Sequence, residues 1–228
     1  MRPHVIVNVA MSADGKLSTR ERRQVKISGR ADFDRVDQMK AGCDGIMVGI
    51  GTVLADDPSL TVKSQERINE RVASGKPEHP VRIIVDSNAR TPPDASILSK
   101  GSGERIIAVS ENAPADKLSV LSEKATIIRA GEKEVALPLL LKQLKDKGIN
   151  RLMVEGGGTL IWGLISSGLV DEITTFIGNS IIGGRDAPTL ADGTGFIHED
   201  DFTRLVLISA TPMEGGVLIH WKVDNYKN

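Results

Sequence analysis

The chain has 228 residues, 40% of them hydrophobic, with 29 basic against 30 acidic side chains and a formal net charge of -1. A length of this order suits one α/β domain, and so even a charge gives no electrostatic reason to bind nucleic acid or a membrane. A single cysteine, Cys43, excludes an intrachain disulfide and any multi-cysteine zinc site.

The expectation is therefore a single domain over residues 1–228, soluble and cytoplasmic. The apolar run at 5–7 is too short for a signal peptide, and no stretch approaches the roughly 20 apolar residues of a membrane span. In chain order, short β-branched runs at 5–7, 46–48, 81–85, 106–109, 126–128 and 152–154 predict buried strands. The polar segment 63–80 has no strand pattern and reads as a surface excursion. Over 135–147 the spacing of Leu137, Leu140, Leu141 and Leu144 predicts a helix, with Gly148 as its stop. After residue 170 the pattern changes to strands at 172–177, 203–210 and 216–223 joined by loops or turns, with Met213-Glu214-Gly215-Gly216 as a hairpin turn. Alternating strands and helices followed by strands alone predict an α/β fold whose mixed sheet is mostly parallel, with antiparallel C-terminal strands.

Four stretches could carry chemistry. Val154-Glu155-Gly156-Gly157-Gly158-Thr159 places glycines between a strand and a helix, which suits either a phosphate cradle or a tight bend. Its spacing to Gly163 is not that of a G-x-G-x-x-G fingerprint, and Glu155 at the strand end is placed for proton transfer. The stretch from Val48 to Lys63 puts Thr52 and Asp56 at i and i+4 on one helical face, ahead of Asp57-Pro58, which also reads as a plain helix stop. Lys63 follows as a phosphate partner. Met11-Ser12-Ala13-Asp14-Gly15-Lys16 is a turn after the first strand. In Val85-Asp86-Ser87-Asn88-Ala89-Arg90, Ser87 and Arg90 could read the 2′-phosphate of NADP, or form an ordinary loop. His4, His79, His198 and His220 are scattered, so no metal is expected.

Taken together, the motifs at 11–16, 49–62, 85–87 and 154–158 resemble the reductase family of riboflavin biosynthesis, over nearly the whole chain. The H-x-E and P-C-x-x-C signature of the zinc deaminase to which some members are fused is absent. The likeness is thus to the stand-alone archaeal and fungal type. It implies a dihydrofolate-reductase-like three-layer sandwich, a homodimer, NADPH as hydride donor with NADH the alternative, and 2,5-diamino-6-ribosylamino-4(3H)-pyrimidinone 5′-phosphate as substrate. The resemblance also implies that Met11, Thr52, Asp56, Ser87, Gly157, Gly158, Thr159 and Leu160 meet the cofactor. Lys40, Leu60, Lys63 and Glu155 would meet the substrate, and Glu155 or Asp56 would handle the proton. Lys40 and Lys63 stand where fused relatives carry arginine, and Lys26-Ile27-Ser28 where they often have Trp-Ile-Thr. Dihydrofolate reduction, with Asp32, Asp34 or Asp37 as the acidic group, and non-catalytic nucleotide binding are the rival expectations.

Overall fold

The computed structural model describes residues 1–23 and 25–224. By packing, the chain forms two compact units: Met1–Pro3 with Val36–Met153, and His4–Arg35 with Val154–Asn228. Strand β1 (His4–Met11) belongs to the second unit, and helix α1 (Arg30–Gly42) begins in the second and ends in the first.

The first unit then runs β2 (Gly45–Gly49), α2 (Ile50–Asp56), α3 (Gln65–Ala73), β3 (Val81–Val85), α4 (Ser96–Ser99), β4 (Arg105–Val109), α5 (Ala115–Ser122), β5 (Thr126–Arg129), α6 (Leu137–Asp146) and β6 (Arg151–Val154), whose last residue passes to the second unit. Its strands lie in the order β5-β4-β3-β2-β6, and the β2–β3, β3–β4 and β4–β5 pairs are parallel. Parallel strands are covered on both faces, which is why they appear in the sequence as unbroken apolar runs. Ile46, Met47 and Val48 are all wholly buried. Ile46, Val48, Ile84, Ile107, Val109 and Met153 share one core with Ile50 and Val53 of α2 and Leu118 and Leu121 of α5.

Two helices differ from expectation. Helix α6 starts at Leu137, not 135, because the Ala136 N–H bonds Ala130 O at 2.9 Å and the Val135 N–H bonds Ser87 Oγ at 3.0 Å. Pro138 then sits in the first turn, where a missing N–H costs nothing, and Gly148 ends the run at φ 89°. The excursion at 63–80 carries α3, capped by Ser64, whose hydroxyl accepts from Arg67 N. Its buried face is built on an arginine. Arg71 is 4% exposed and donates to the carbonyls of Ala41 (2.6 Å), Cys43 (2.9 Å) and Pro77 (2.9 Å). No apolar periodicity announces such a helix.

The second unit continues from β1 with α7 (Gly158–Ser166), β7 (Glu172–Ile177), β8 (Leu205–Met213) and β9 (Gly216–Val223). Here β7 pairs parallel with β1 and antiparallel with β9, and β8 closes the order β1-β7-β9-β8 as an antiparallel edge. The hairpin between β8 and β9 turns at Glu214 (φ 44°) and Gly215 (φ 78°), two successive left-handed residues of the kind a tight hairpin needs. Strand β8 runs beyond the expected 210 to Met213; Pro212 is tolerated because it lies on an edge. Among the described residues no helix is long and apolar enough to cross a membrane.

Candidate active site

In the first unit β2 passes directly into α2, whose N-cap is Gly49. Thr52 and Asp56 are half-buried while Gly51, Leu54 and Ala55 face solvent, so the expected shared face is present. Burial alone raises the Asp56 carboxyl above the usual carboxylate range. Its neighbour Asp57 has a structural task. It ends α2 in the left-handed conformation (φ 41°), and its carboxylate accepts from Ser96 N and Ser96 Oγ, both at 2.7 Å, which hold it ionised below the usual range.

Beyond that stop, Leu60 also takes a left-handed backbone (φ 52°) and buries its side chain in the core, so what it can offer a ligand is its backbone. Lys63 extends from the same strip. Its Nζ donates to Ser59 Oγ and Thr61 Oγ1, both at 2.8 Å. Asp37 fixes the backbone below, accepting from Lys63 N at 2.6 Å, Ser64 N at 3.1 Å and Arg67 Nη1 at 3.0 Å. Partial burial, then the charges of Lys40 and Lys100, hold the Lys63 ammonium below the ordinary lysine range against the pull of Asp37. Ser59, Thr61 and Lys100 were not anticipated from sequence, although the alternation Ser59-x-Thr61-x-Lys63 was there to be read.

At the end of β3 the Asp86 side chain is wholly buried, and its Oδ2 accepts from Thr91 N (2.7 Å) and Thr91 Oγ1 (2.8 Å). Arg90 leans back on the same carboxylate, Nε to Oδ1 at 3.8 Å, with its side chain 53% exposed. Ser87 is half-buried. Its carbonyl accepts from Ser110 N and Oγ, and its hydroxyl accepts from Val135 N, which leaves the hydroxyl proton to donate.

In the second unit Met11 is the last residue of β1, half-buried and opposite Ile177 of β7. The loop after it is drawn in by Asp14, whose carboxylate accepts from Ser12 Oγ (2.5 Å), Ile182 N (3.0 Å) and Gly183 N (2.7 Å); these bonds, the Ser12 hydroxyl first, bring its pKa down to about 2. Glu155 is half-buried just past β6. Gly157 is the N-cap of α7 at φ 94° and ψ 95°, a conformation that favours glycine, and no side chain caps the helix. Thr159 is exposed in the first turn, whereas Leu160 is buried. Gly158 is a glycine for want of room: a Cβ there would lie 2.7 Å from Thr189 O and 2.8 Å from Asp192 Oδ2.

The acidic groups of α1 that a folate site would need are engaged in part. Asp32 pairs with Arg35 at 2.7 Å, and Asp37 holds the 63–67 backbone and Arg67. Two histidines that look unrelated in sequence meet on one carboxylate, His4 at 2.8 Å and His220 at 2.9 Å from Glu172. Among the described residues no group of three or more His, Cys, Asp or Glu is placed to hold a metal ion.

The 2,5-diamino-6-ribosylamino-4(3H)-pyrimidinone 5′-phosphate reductase of Archaeoglobus fulgidus is 51% identical over 199 residues, 87% of this chain and 90% of that protein. Among solved structures, a pyrimidine reductase-like protein from Corynebacterium diphtheriae matches with a TM-score of 0.83 at 20% identity, covering 98% of this chain and 93% of its own. A dihydrofolate reductase from Enterococcus faecalis, complexed with NADP(H), matches with a TM-score of 0.50 at 9% identity over 97% of each chain. Both likenesses speak to the fold, which is the mixed, dihydrofolate-reductase-like α/β sheet implied by the motifs. One family description, the RibD C-terminal domain, spans residues 3–219 and so takes in residues of both units. The chain belongs to the RibD C-terminal domain family.

Proposed function

We propose that the chain, as one reductase domain over residues 1–228, reduces 2,5-diamino-6-ribosylamino-4(3H)-pyrimidinone 5′-phosphate to its ribitylamino form in riboflavin biosynthesis. It is an oxidoreductase that uses a nicotinamide cofactor, NADPH by preference, and works as a homodimer in the cytoplasm. The observation that carries this reading is the Lys63 ammonium, seated on Ser59 and Thr61 with Lys40 and Lys100 near enough to depress it. That is the chemistry a 5′-phosphate needs, in a chain whose Archaeoglobus relative is named for a 5′-phosphate substrate.

Each unit by itself carries groups suited to a dinucleotide. The uncapped N-terminus of α7 offers backbone N–H groups and the positive end of its dipole to a phosphate, and Gly157 brings no Cβ to obstruct it. Ser87 keeps a hydroxyl proton to donate, and Thr52 and Asp56 offer a hydroxyl and a carboxyl from one face. Met11 would meet the nicotinamide side, and Gly157, Gly158 and Thr159 the phosphates, with buried Leu160 anchoring that turn from the core. When bound, NADPH supplies the hydride that the substrate sugar C1′ takes up.

The chain's own groups then manage charge. Lys63 and Lys40 hold the 5′-phosphate, with Leu60 contributing backbone. Opening the sugar ring makes an alkoxide that needs one proton, and Asp56, whose carboxyl burial pushes above the usual carboxylate range, is the group suited to give it. Glu155 binds the sugar beside the glycine turn and orients the C1′–N unit.

The homodimer reading draws on β8. Leu205 (40%), Val206 (49%), Leu207 (53%) and Ile208 (53%) are exposed although they alternate between the two faces of the edge strand. A long apolar edge is an association hazard unless something covers it. A second copy supplies a matching edge for this nine-residue strand to pair with. The primary test is loss of reduced-nicotinamide absorbance when purified chain, NADPH and the ribosylamino substrate are mixed. No oxidation, with the chain folded, would exclude the reductase.

A further inference from the structure

The loop after β1 and the glycine turn before α7 are both tied, within the second unit, to one later segment, residues 178–192. At the near end, Gly178 N donates to Met11 O and Ala13 N to Ser180 O, both at 2.8 Å. The Asp14 carboxylate then takes two successive amides of the segment, Ile182 N and Gly183 N. In the middle, Lys16 Nζ reaches Ala187 O at 3.3 Å and Leu17 N reaches Pro188 O at 2.8 Å. At the far end, Asp192 folds the segment onto the turn. Its Oδ1 accepts from Thr189 N (3.0 Å) and Thr189 Oγ1 (2.6 Å), its own N–H donates to Gly158 O at 3.1 Å, and Thr189 O and Asp192 Oδ2 fill the space a Gly158 side chain would need.

A run of three glycines has little stiffness of its own, and α7 has no side-chain cap to fix where it begins. Buried Leu160 and Ile161 seat the helix in the core, and the glycine turn ahead of them is what has to be held by contacts from elsewhere. We propose that residues 178–192 are a positioning strap, latched by Asp14 and Asp192, that holds the loop after β1 and the start of α7 in their working arrangement. Asp14 and Asp192 touch neither cofactor nor substrate on this account; they act through the strap. The proposal deepens the cofactor assignment above and rests on it for its kinetic consequence, because a displaced glycine turn presents its backbone N–H groups less well to the cofactor phosphates and so weakens NADPH binding.

Hydrogen exchange on the full chain without cofactor tests the strap directly. The probes are the amides of Ile161, which bonds Gly157 O at 2.9 Å, and of Leu17. Asp14→Ala should speed exchange at 182–183 and also at Ile161, and Asp192→Ala should speed exchange at Thr189 and also at Leu17, by about tenfold or more. A change confined to the amides that each lost carboxylate touched would overturn the proposal.

Kinetics supply the second readout. Asp192→Ala should raise the KM for NADPH about tenfold and leave kcat within about twofold. Asp192→Asn should restore it, since an amide oxygen still accepts both Thr189 protons. Equal damage from Ala and Asn, or kcat falling in step with Tm, would reduce Asp192 to a stabilising residue. A wild-type chain that neither binds nor oxidises NADPH would refute the cofactor assignment instead, and the exchange result would still decide the strap.

Discussion

Lys63→Ala separates a phosphate anchor from an ordinary surface lysine. Lys63 is exposed as a residue, and its partly buried ammonium makes two hydrogen bonds to hydroxyls. After truncation Ser59 Oγ and Thr61 Oγ1 still face each other at 3.2 Å, so folding stability should change by less than about 0.5 kcal/mol. A hydrogen bond between charged groups contributes roughly 1.5–3 kcal/mol, so losing one to the 5′-phosphate should raise the substrate KM roughly tenfold to 150-fold. Steady-state rates at saturating NADPH read this directly, and the KM for NADPH should stay within about twofold. The pH dependence carries a sign of its own. The folded-state pKa of Lys63 lies below the ordinary 10.5, so between the two values the unfolded chain keeps the proton that the folded chain has lost. Folding stability from this group therefore rises with pH across that window, while phosphate affinity falls. Wild-type substrate KM should climb at a pH below 10.5, and the climb should flatten in Lys63→Ala. A variant with unchanged substrate KM and a raised NADPH KM would move Lys63 to the cofactor and remove the phosphate site.

Glu155→Gln should lower turnover about a hundredfold or more while NADPH affinity changes little, as expected when a proton-handling or orienting carboxylate is made neutral; near-normal kcat removes Glu155 from the chemistry. Arg90→Ala should narrow the preference for NADPH over NADH, modestly because Arg90 already shares its charge with Asp86 at 3.8 Å, and an unchanged ratio in steady-state assays excludes it from the 2′-phosphate. Leu207→Lys, on the open edge of β8, should shift the chain to a monomer in sedimentation equilibrium without lowering Tm, and a dimer of unchanged affinity would place the interface elsewhere.

Most of the strands are legible because a parallel strand buried on both faces leaves a plain signature, an unbroken β-branched run. The span 81–85 coincides with β3 for that reason, while 172–177 and 216–223 coincide with β7 and β9, which pair antiparallel. Helix α3 is illegible for the opposite reason. Its buried face depends on the Arg71 guanidinium bonding three carbonyls, an interaction with no periodic trace in the sequence. The same divide runs through the candidate site. Thr52 and Asp56 follow from helical geometry, and Ser59 and Thr61 could have followed from their alternation with Lys63. Asp37, which holds the Lys63 backbone from 26 residues away, and Lys100, which faces Lys63 only through the fold, could not.

The glycine turn shows why a local motif's backbone can be legible while the reason for each of its glycines is not. From sequence, Gly156-Gly157-Gly158 suits a phosphate cradle or a tight bend, and both readings ask only what the backbone must do. Gly157 answers that question, since φ 94° with ψ 95° is a conformation side-chain-bearing residues avoid. Gly158 answers a different one. The space beside its Cα is filled by Thr189 O and Asp192 Oδ2, more than thirty positions along the chain, so an alanine there would push the strap away before it met any ligand. Two adjacent glycines thus have separable physical roles, one of conformation and one of room. A substitution that damages cofactor binding at 158 must therefore be compared with Asp192→Ala before it is credited to a lost contact with phosphate.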